Sequence, residues 1–326
     1  MTFTANGEYL VGGTSKGVRV WQMKDGKRVA IMPVQKGVRC VATSRDGRWI
    51  AGGSNRGEVF VWDATTYNQV FADRTGSGSE ISDVDFSPDS TRLVSAAGQS
   101  TAPIWDIATH QKVRLTLDHD GQVIAAKYSP QGDRIATATH ESVRVWDSKD
   151  GRLLLDVAVQ VGWVRNLLWC KVHIFVRTIR NTIKQLDATA GSTVSEWSVP
   201  HAQWPRMTLL QHGKFVACSA DKATTVWDAA THAQLSLIPH THDISSFAFS
   251  SDDSLLAIAS VGSKIIVKEL FRSLSVRSMS CSFPLYYISV SGARTLYRQR
   301  CTQCVEMRTT RRCRCNTICR IPDVGE

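Results

Sequence analysis

The chain has 326 residues, of which 43% are apolar and 21% are charged, a composition typical of a globular protein and not of a disordered one. Its length allows one large all-β domain or two smaller ones, and no apolar run of about eighteen residues indicates a transmembrane helix. The formal net charge is +10, but residues 271–326 hold ten arginines and three acidic residues, a net +7 that leaves only +3 for the rest. The basic character therefore belongs to the C-terminal segment.

The N-terminal residues are the first element in chain order. Residues 1–8 have neither a basic start nor an apolar stretch, so they predict no secretory signal. The chain also lacks the Asn-x-Ser/Thr sequence of a glycosylation site. We therefore expect an intracellular protein of the cytoplasm or nucleus, neither secreted nor attached to a membrane.

Tight turns and short apolar runs alternate from the N-terminus onward. The turn Phe3-Thr-Ala-Asn-Gly7 is followed by an apolar run and then by Val18-Arg-Val-Trp21. The same order recurs, with equivalent turns starting at Thr43, Phe86, Tyr128 and Phe249. Asn, Asp and Gly favour such turns because their side chains bond the backbone or because they tolerate positive φ. Three to four short β-runs between turns predict an antiparallel meander without helices.

A Trp-Asp pair marks the end of one β-run in each period. Intact pairs are Trp62-Asp63, Trp105-Asp106, Trp146-Asp147 and Trp227-Asp228, and weaker copies are Trp21-Gln22, Leu186-Asp187 and Lys268-Glu269. Successive copies are separated by 41, 43, 41, 40, 41 and 41 residues. A constant period of this length predicts a chain built from repeated supersecondary units.

In this spacing, in the turns and in the Trp-Asp pair, residues 1–270 resemble the WD-repeat (WD40) family. The resemblance implies an all-β protein, a seven-bladed β-propeller whose four-stranded blades surround a central channel. The repeats are predicted at about 1–33, 34–74, 75–117, 118–158, 159–198, 199–238 and 239–270. A lone four-stranded meander buries too little apolar surface, so each blade must pack on its neighbours, and a closed ring leaves no exposed end.

The two chain ends are the irregular parts of this prediction. Residue 1 falls at the first turn of a repeat, so the first blade is predicted to lack its first strand, and residues 285–292 could close the ring as that strand. The propeller domain would then span 1–292. An open ring, or a fragment of a larger WD-repeat signalling protein, are the alternatives.

Residues 293–326 are predicted to be an irregular, disordered tail rich in Arg and Cys. Cys301, Cys304, Cys313, Cys315 and Cys319 could suggest a zinc site, but the second pair has the wrong spacing for a zinc ribbon and the segment has no His. Its arginines could bind nucleic acid. We predict no metal there, and nucleic-acid binding through the tail is the weaker alternative.

The resemblance also implies a hydrogen-bonded set in each blade: Trp on the third strand, Ser or Thr on the second, a turn Asp, and a His before the first. The sixth repeat matches best, with Ser219, Asp221 and Trp227 near His201, and His119 and His240 are kept in the fourth and seventh. Because the set is repeated, it indicates structure and not catalysis. The residues predicted to serve the repeat are Trp21, Trp62, Asp63, Trp105, Asp106, Trp146, Asp147, Asp187, Ser219, Asp221, Trp227 and Asp228.

The sequence contains no motif for catalysis, a cofactor or a metal. It has no phosphate-binding loop with residues in the required order, no zincin motif and no nucleophile elbow. We therefore expect a non-catalytic scaffold that binds protein or peptide partners through loops on one propeller face; a hydrolase or lyase propeller is a weaker alternative. Alignment with the family's usual binding face selects Arg39, Arg56, Glu80, His140, Trp163, Arg165, Trp204 and His242. Either Trp could instead pack against a neighbouring blade. The sequence does not indicate the partner or the oligomeric state.

Overall fold

The computed structural model describes residues 1–76, 78–159, 163–202, 205–209, 213–240, 242–252, 254–260, 264–269 and 285–289. Within these ranges the regular structure is entirely β-strand, arranged as seven four-stranded sheets. Every sheet is an antiparallel meander in which each strand pairs with the next along the chain. The predicted all-β, seven-bladed propeller is confirmed.

The strands follow one another in chain order, four to a blade. Blades 1 to 4 comprise β1 (Thr2–Phe3), β2 (Tyr9–Thr14), β3 (Gly17–Gln22) and β4 (Arg28–Pro33); β5 (Val38–Thr43), β6 (Trp49–Ser54), β7 (Glu58–Asp63) and β8 (Gln69–Arg74); β9 (Asp83–Phe86), β10 (Arg92–Ala96), β11 (Ile104–Asp106) and β12 (Gln111–Lys112); β13 (Ala125–Tyr128), β14 (Arg134–Ala138), β15 (Ser142–Asp147) and β16 (Leu153–Ala158). Blades 5 to 7 comprise β17 (Val164–Cys170), β18 (His173–Thr178), β19 (Thr182–Asp187) and β20 (Thr193–Ser198); β21 (Met207–Leu209), β22 (Phe215–Ala220), β23 (Ala223–Asp228) and β24 (Gln234–Pro239); β25 (Ile244–Phe249), β26 (Leu255–Ser260), β27 (Lys264–Glu269) and β28 (Leu285–Ser289).

The core is divided among the interfaces between successive blades. Blade 3 meets blade 4 through a buried cluster that includes Ile104, Ile135 and Trp146, and equivalent clusters join the other neighbouring pairs. Fully burying one such aliphatic side chain contributes roughly 1.5–3 kcal/mol. The strands of a blade are therefore stabilised mainly by the neighbouring blades.

The ring closes where blade 7 packs against blade 1. Leu10 and Trp21 share a buried cluster with Ala257, Ile265 and Val267. Among the described residues these two blades exchange no strand, because β1 pairs with β2 and β28 pairs with β27.

This closure corrects the expectation for the chain ends. Residues 285–289 form the outer strand of blade 7 and not the first strand of blade 1, while residues 290–292 lie outside the described residues, as do residues 293–326. The first strand of blade 1 is present as Thr2–Phe3, paired with Val11 and Leu10. A two-residue strand is too short to display an alternating pattern, and the strong turn signal of Asn6-Gly7 obscures it.

The aspartates of the Trp-Asp pairs shape the turn between the third and fourth strands. Asp63 Oδ1 accepts hydrogen bonds from the backbone N–H groups of Thr65 and Thr66, at 2.9 and 2.7 Å. Asp106, Asp147, Asp187 and Asp228 accept equivalent bonds. Five residues after the Trp position the backbone takes a positive φ, at Gly26, Tyr67, His110, Gly151, Gly191 and His232. Bonding to backbone N–H groups lowers the pKa of Asp63. These aspartates thus have a structural role in the turn.

Candidate functional site: the face at the channel mouth

The polar set around the repeated tryptophan is best formed in blade 4. Trp146 Nε1 donates to Thr137 Oγ1 at 2.7 Å, and His119 Nε2 lies 2.7 Å from the same oxygen. His119 Nδ1 lies 2.8 Å from the carbonyl oxygen of Leu117, which can only accept. Nδ1 therefore carries the proton, and the Thr137 hydroxyl donates to Nε2 while it accepts from the indole. The three side chains are buried and hold the blade together.

The set expected in the sixth repeat is not formed between Trp227 and Ser219. Trp227 Nε1 donates instead to Thr225 Oγ1, at 2.9 Å, on its own strand. The cause is the strand register: the hydroxyl-bearing position lies two residues beyond the residue paired with the Trp, and in this blade Cys218 holds it. The residues at that position in blades 1 to 7 are Gly12, Gly52, Ser95, Thr137, Val176, Cys218 and Ile258.

The His201–Asp221 contact is a second difference from the expected buried set. His201 Nδ1 lies 2.9 Å from Asp221 Oδ2, so the two side chains do interact. Their side chains are 68% and 58% exposed, however. The pair therefore lies at the surface, where solvent screens its contribution to stability.

A buried arginine ties blade 5 to blade 6. Arg177, fully buried on β18, donates through Nη1 to the carbonyl oxygen of Arg206 at 2.6 Å and through Nη2 to that of Ser219 at 2.8 Å. Weaker contacts reach Ser219 Oγ and the carbonyl oxygen of Pro200. Because these acceptors flank residues 201–205, the guanidinium fixes both ends of the loop that leads into β21.

The candidate partner-binding residues fall in two kinds of loop. Trp163 and His242 lie in the loops before β17 and β25, Glu80 before β9, and Arg39 and Arg165 at the start of β5 and β17. Arg56 and His140 occupy the turns between the second and third strands of blades 2 and 4. In an antiparallel meander both kinds of loop lie at the same end of the blade. Trp204 lies outside the described residues.

A central cavity of about 1150 Å³ opens at this face. Its lining includes Arg39, Glu80, His140 and Arg165 from the predicted set. Arg39 Nη1 and Glu80 Oε2 form an ion pair at 2.8 Å. The cavity therefore brings together four of the eight residues that were selected from the sequence.

Deeper in the cavity lies a charged cluster that the sequence did not reveal. Lys127 Nζ lies 2.8 Å from Asp83 Oδ1 and 3.8 Å from Asp85 Oδ1. Burial raises the pKa of Asp85 to about 6, since a low dielectric disfavours the charged form. The available signal was the alternation of the inner strands: Asp83 and Asp85 are two residues apart on β9, so both point into the channel.

An exposed apolar group sits beside the mouth on blade 5. Trp163 is 51% exposed and Ile179 is 40% exposed, and the N–H of Ile179 donates to the carbonyl oxygen of Trp163 at 2.9 Å. The indole also lies against the ring of His140, with centroids 5.2 Å apart. Half of the Trp163 side chain thus remains open to solvent in spite of this contact.

The described residues offer neither a metal-ligand cluster nor a membrane-spanning helix. Nowhere in those ranges do three or more His, Cys, Asp or Glu side chains come together as metal ligands. The same ranges contain no helix with the length and apolarity needed to cross a bilayer.

Comparison with known proteins identifies the repeats. The family model described as "WD domain, G-beta repeat" matches residues 26–63, 69–106, 111–147 and 233–267. Each matched segment ends at or next to the Trp-Asp position of blades 2, 3, 4 and 7.

The curated proteins that match this chain are distant, and each match covers a smaller share of the relative than of this chain. WD repeat-containing protein 18 of Danio rerio is 22% identical over 274 residues, which cover 74% of this chain and 63% of that protein. Apoptotic protease-activating factor 1 of Rattus norvegicus is 27% identical over 60% of this chain and 16% of its own length. Protein groucho of Drosophila melanogaster is 23% identical over 81% of this chain and 37% of its own. The chain thus spans less than two thirds of each.

Proposed function

Because the chain belongs to the WD-repeat family of β-propellers, whose members generally act as protein-interaction scaffolds, we propose that it is a non-catalytic scaffold. The face at the channel mouth presents its loops to protein or peptide partners. The binding residues are those selected from the sequence on this face, with Trp163 as the anchor.

The observation that carries this proposal is the exposure of Trp163 on a rigid rim. An indole that is 51% exposed leaves a large apolar surface in water, and Trp is enriched among residues that dominate binding energy. The blade beneath it is held by buried clusters on both sides. A partner side chain covering the indole would gain apolar burial at little cost in ordering the scaffold.

A catalytic role has less support. Two titratable groups of the channel lining, Asp85 and Lys127, lie near each other, and Asp85 Oδ2 also accepts from the backbone N–H of Tyr128 at 2.9 Å. An internal ion pair of this kind is a common structural feature. The channel lining therefore favours binding over proton transfer.

The test is affinity capture with Trp163→Ala against the parent chain, scored by quantitative mass spectrometry. The expected result is loss of a defined subset of captured proteins while thermal unfolding stays unchanged. Val172→Ser is the matched control, because Val172 is 57% exposed in the turn between β17 and β18 at the opposite end of the same blade. If Trp163→Ala and Val172→Ser capture the same proteins as the parent, this face is not the binding face.

A further inference from the structure

We propose that the channel mouth binds an acidic peptide segment of a partner protein, with a large apolar side chain of that segment covering Trp163. This inference rests on the proposed function and specifies the chemistry of the partner. It follows from an imbalance of charge in the cavity and from the position of the exposed indole beside it.

The cavity holds more basic than acidic side chains. Its lining includes Arg39, Lys127, Arg165 and Arg206 against Glu80, Asp83 and Asp85. All three carboxylates are already engaged, Glu80 by Arg39 and both aspartates by Lys127. In the described part of the chain, Arg165 and Arg206 have no carboxylate oxygen within 4.0 Å. Two arginine side chains thus face the cavity without an ion-pair partner there.

Arg206 is the more confined of the two. Its backbone is fixed, since its N–H donates to Ser219 Oγ at 2.8 Å and its carbonyl oxygen accepts from Arg177. Burial and the neighbouring Arg39 lower the pKa of its guanidinium, and Asp83 and Glu80, which lie beyond ion-pair distance, offset only part of this shift. A partly buried cation beside a second cation is destabilised, and an anion placed between them would offset both effects.

The chain itself offers little acidic charge to fill this role. No Asp or Glu occurs in four short stretches of the segments that lead into β17, β21 and β25 and that join β26 to β27. These stretches are residues 160–162, 203–204, 241 and 261–263. Residues 271–326 carry a net charge of +7, so the C-terminal segment would be repelled by the mouth and not drawn to it. The anion is therefore expected from a partner.

The apolar group defines the second feature of the ligand. Trp163 lies two residues before Arg165 and Ile179 directly before Arg180, and all four side chains are exposed. An acidic segment that places carboxylates on the arginines can therefore lay one apolar side chain on the indole. Arginine pairs with carboxylates through two parallel hydrogen bonds, which adds geometric selectivity.

The same face disfavours a long polyanion such as nucleic acid. Asp118 and Glu141 are exposed, Asp118 in the loop before β13 and Glu141 directly after His140 in the turn between β14 and β15. They would repel phosphates that run beyond the mouth, whereas a short peptide need not approach them. The distribution of charge thus favours a compact acidic ligand over a chain of phosphates.

The experiment measures binding of a fluorescein-labelled ten-residue peptide of Asp and Glu with one central Leu, using the full chain and fluorescence anisotropy. Arg206→Gln and Arg165→Gln should each weaken binding at least about tenfold, the equivalent of roughly 1.4 kcal/mol. Trp163→Ala should weaken it similarly, and a peptide with Ser in place of Leu should lose that dependence. Arg152→Gln is the matched control, because Arg152 is exposed just before β16 at the opposite end of blade 4. The arginines of 271–326 give every variant the same background.

A stability measurement separates binding from a structural role. Arg206→Met removes the confined cation but keeps the backbone bonds of residue 206, so the free protein should unfold at the same or a higher temperature while peptide binding falls. Three results would overturn the inference. They are equal binding of a peptide of Lys and Arg, an unchanged affinity of Arg206→Gln and Arg165→Gln for the acidic peptide, and preferential binding of a single-stranded oligonucleotide. If peptide binding fails but Trp163→Ala still loses captured proteins, the proposed function stands and only the acidic ligand is wrong.

Discussion

Blades 4 and 5 are neighbours with the same four-stranded meander, yet they are held together by different chemistry. In blade 4 the indole of Trp146, the hydroxyl of Thr137 and the ring of His119 form one buried chain of hydrogen bonds. In blade 5 Leu186 and Val176 hold the equivalent positions. Hydrogen bonds in blade 5 come instead from the buried Arg177, which donates to backbone carbonyl oxygens on blade 6 and in the loop leading into it.

The difference shows which features a blade requires. Both blades keep the strand register and contribute to the same apolar cluster, in which Val145 of blade 4 meets Ile174 and Leu186 of blade 5. The polar set is therefore one of several ways to satisfy buried groups, whereas packing between blades is common to all. A buried polar group must be bonded in either arrangement, and losing its partner is costly in both.

The largest effect is expected for the arginine of blade 5. Arg177→Met removes a donor from three carbonyl oxygens, of which that of Ser219 is buried, and from one hydroxyl. Hydrogen bonds to a charged group contribute about 1.5–3 kcal/mol each, and part of that gain is offset because the variant no longer buries a cation. We expect the free energy of unfolding to fall by about 3 kcal/mol in urea titrations.

The control for this variant is Arg180→Met, because Arg180 is exposed three residues away on the same blade. A surface change of this kind is usually within about 0.5 kcal/mol of the parent. Equal stability of the two variants would mean that the loop before β21 is held by apolar packing and not by the guanidinium.

A pair of exchanges at one structural position tests the polar set of blade 4. Thr137→Val keeps the shape but leaves the Trp146 indole N–H and His119 Nε2 without the shared hydroxyl, which should cost about 2 kcal/mol. In blade 5 the reciprocal Val176→Thr places a hydroxyl two residues beyond Ile174, the partner of Leu186, so the Trp position offers no indole to bond it. It should also be destabilising, by about 1–2 kcal/mol, because the hydroxyl is buried.

The two exchanges are measured by the same urea titrations. A neutral Thr137→Val would show that the hydrogen-bonded chain contributes no net stability to blade 4. A neutral Val176→Thr would instead show that blade 5 already contains an acceptor for the new hydroxyl.

Local chemistry made much of the fold predictable. The turn after each Trp position depends on one side chain and one positive φ, so it recurs wherever those residues recur, as at Asp63 and Tyr67. Apolar runs between such turns define the strands without any knowledge of their partners. The family resemblance then supplied the ring.

Register and long-range contacts were not predictable in the same way. Ser219 and Cys218 are adjacent, and only the pairing of β22 with β23 decides which of them lies two residues past the partner of Trp227. Lys127 and Asp83 are 44 residues apart and meet because their inner strands are neighbours in the ring. No local sequence pattern predicts the pairing of β22 with β23 or the contact of Lys127 with Asp83, so the charged cavity is seen only in the structure.

The histidine of blade 4 adds a dependence on pH that blade 5 lacks at the equivalent position. Burial lowers the pKa of His119. Burial also lowers the pKa of His240 to about 4; this ring contacts Thr224 Oγ1. The unfolded chain takes up these protons first, near pH 6.5. The neutral rings therefore contribute stability above that pH, and this contribution is lost as the pH falls from about 6.5 towards 4.

The measurement compares the free energy of unfolding at pH 7.5 and pH 5 for the parent, His119→Gln and His240→Gln. Carboxylates titrate equally in all three proteins, so the difference reports the histidines. Each variant should lose less stability than the parent on acidification. A parent and variants with the same pH slope would mean that the rings accept a proton without cost in the folded state.

The smallest effect is expected in blade 6, where the sequence placed the most complete polar set. The resemblance predicts that Asp221→Ala leaves a buried donor unpaired and costs about 1–3 kcal/mol. The Asp221 side chain is instead 58% exposed beside an exposed His201, and exposed ion pairs contribute about 0–1 kcal/mol. We therefore expect a loss below about 1 kcal/mol, well under that of Thr137→Val measured by the same titration. A loss as large as that of Thr137→Val would show that blade 6 depends on its turn aspartate as blade 4 depends on its hydroxyl.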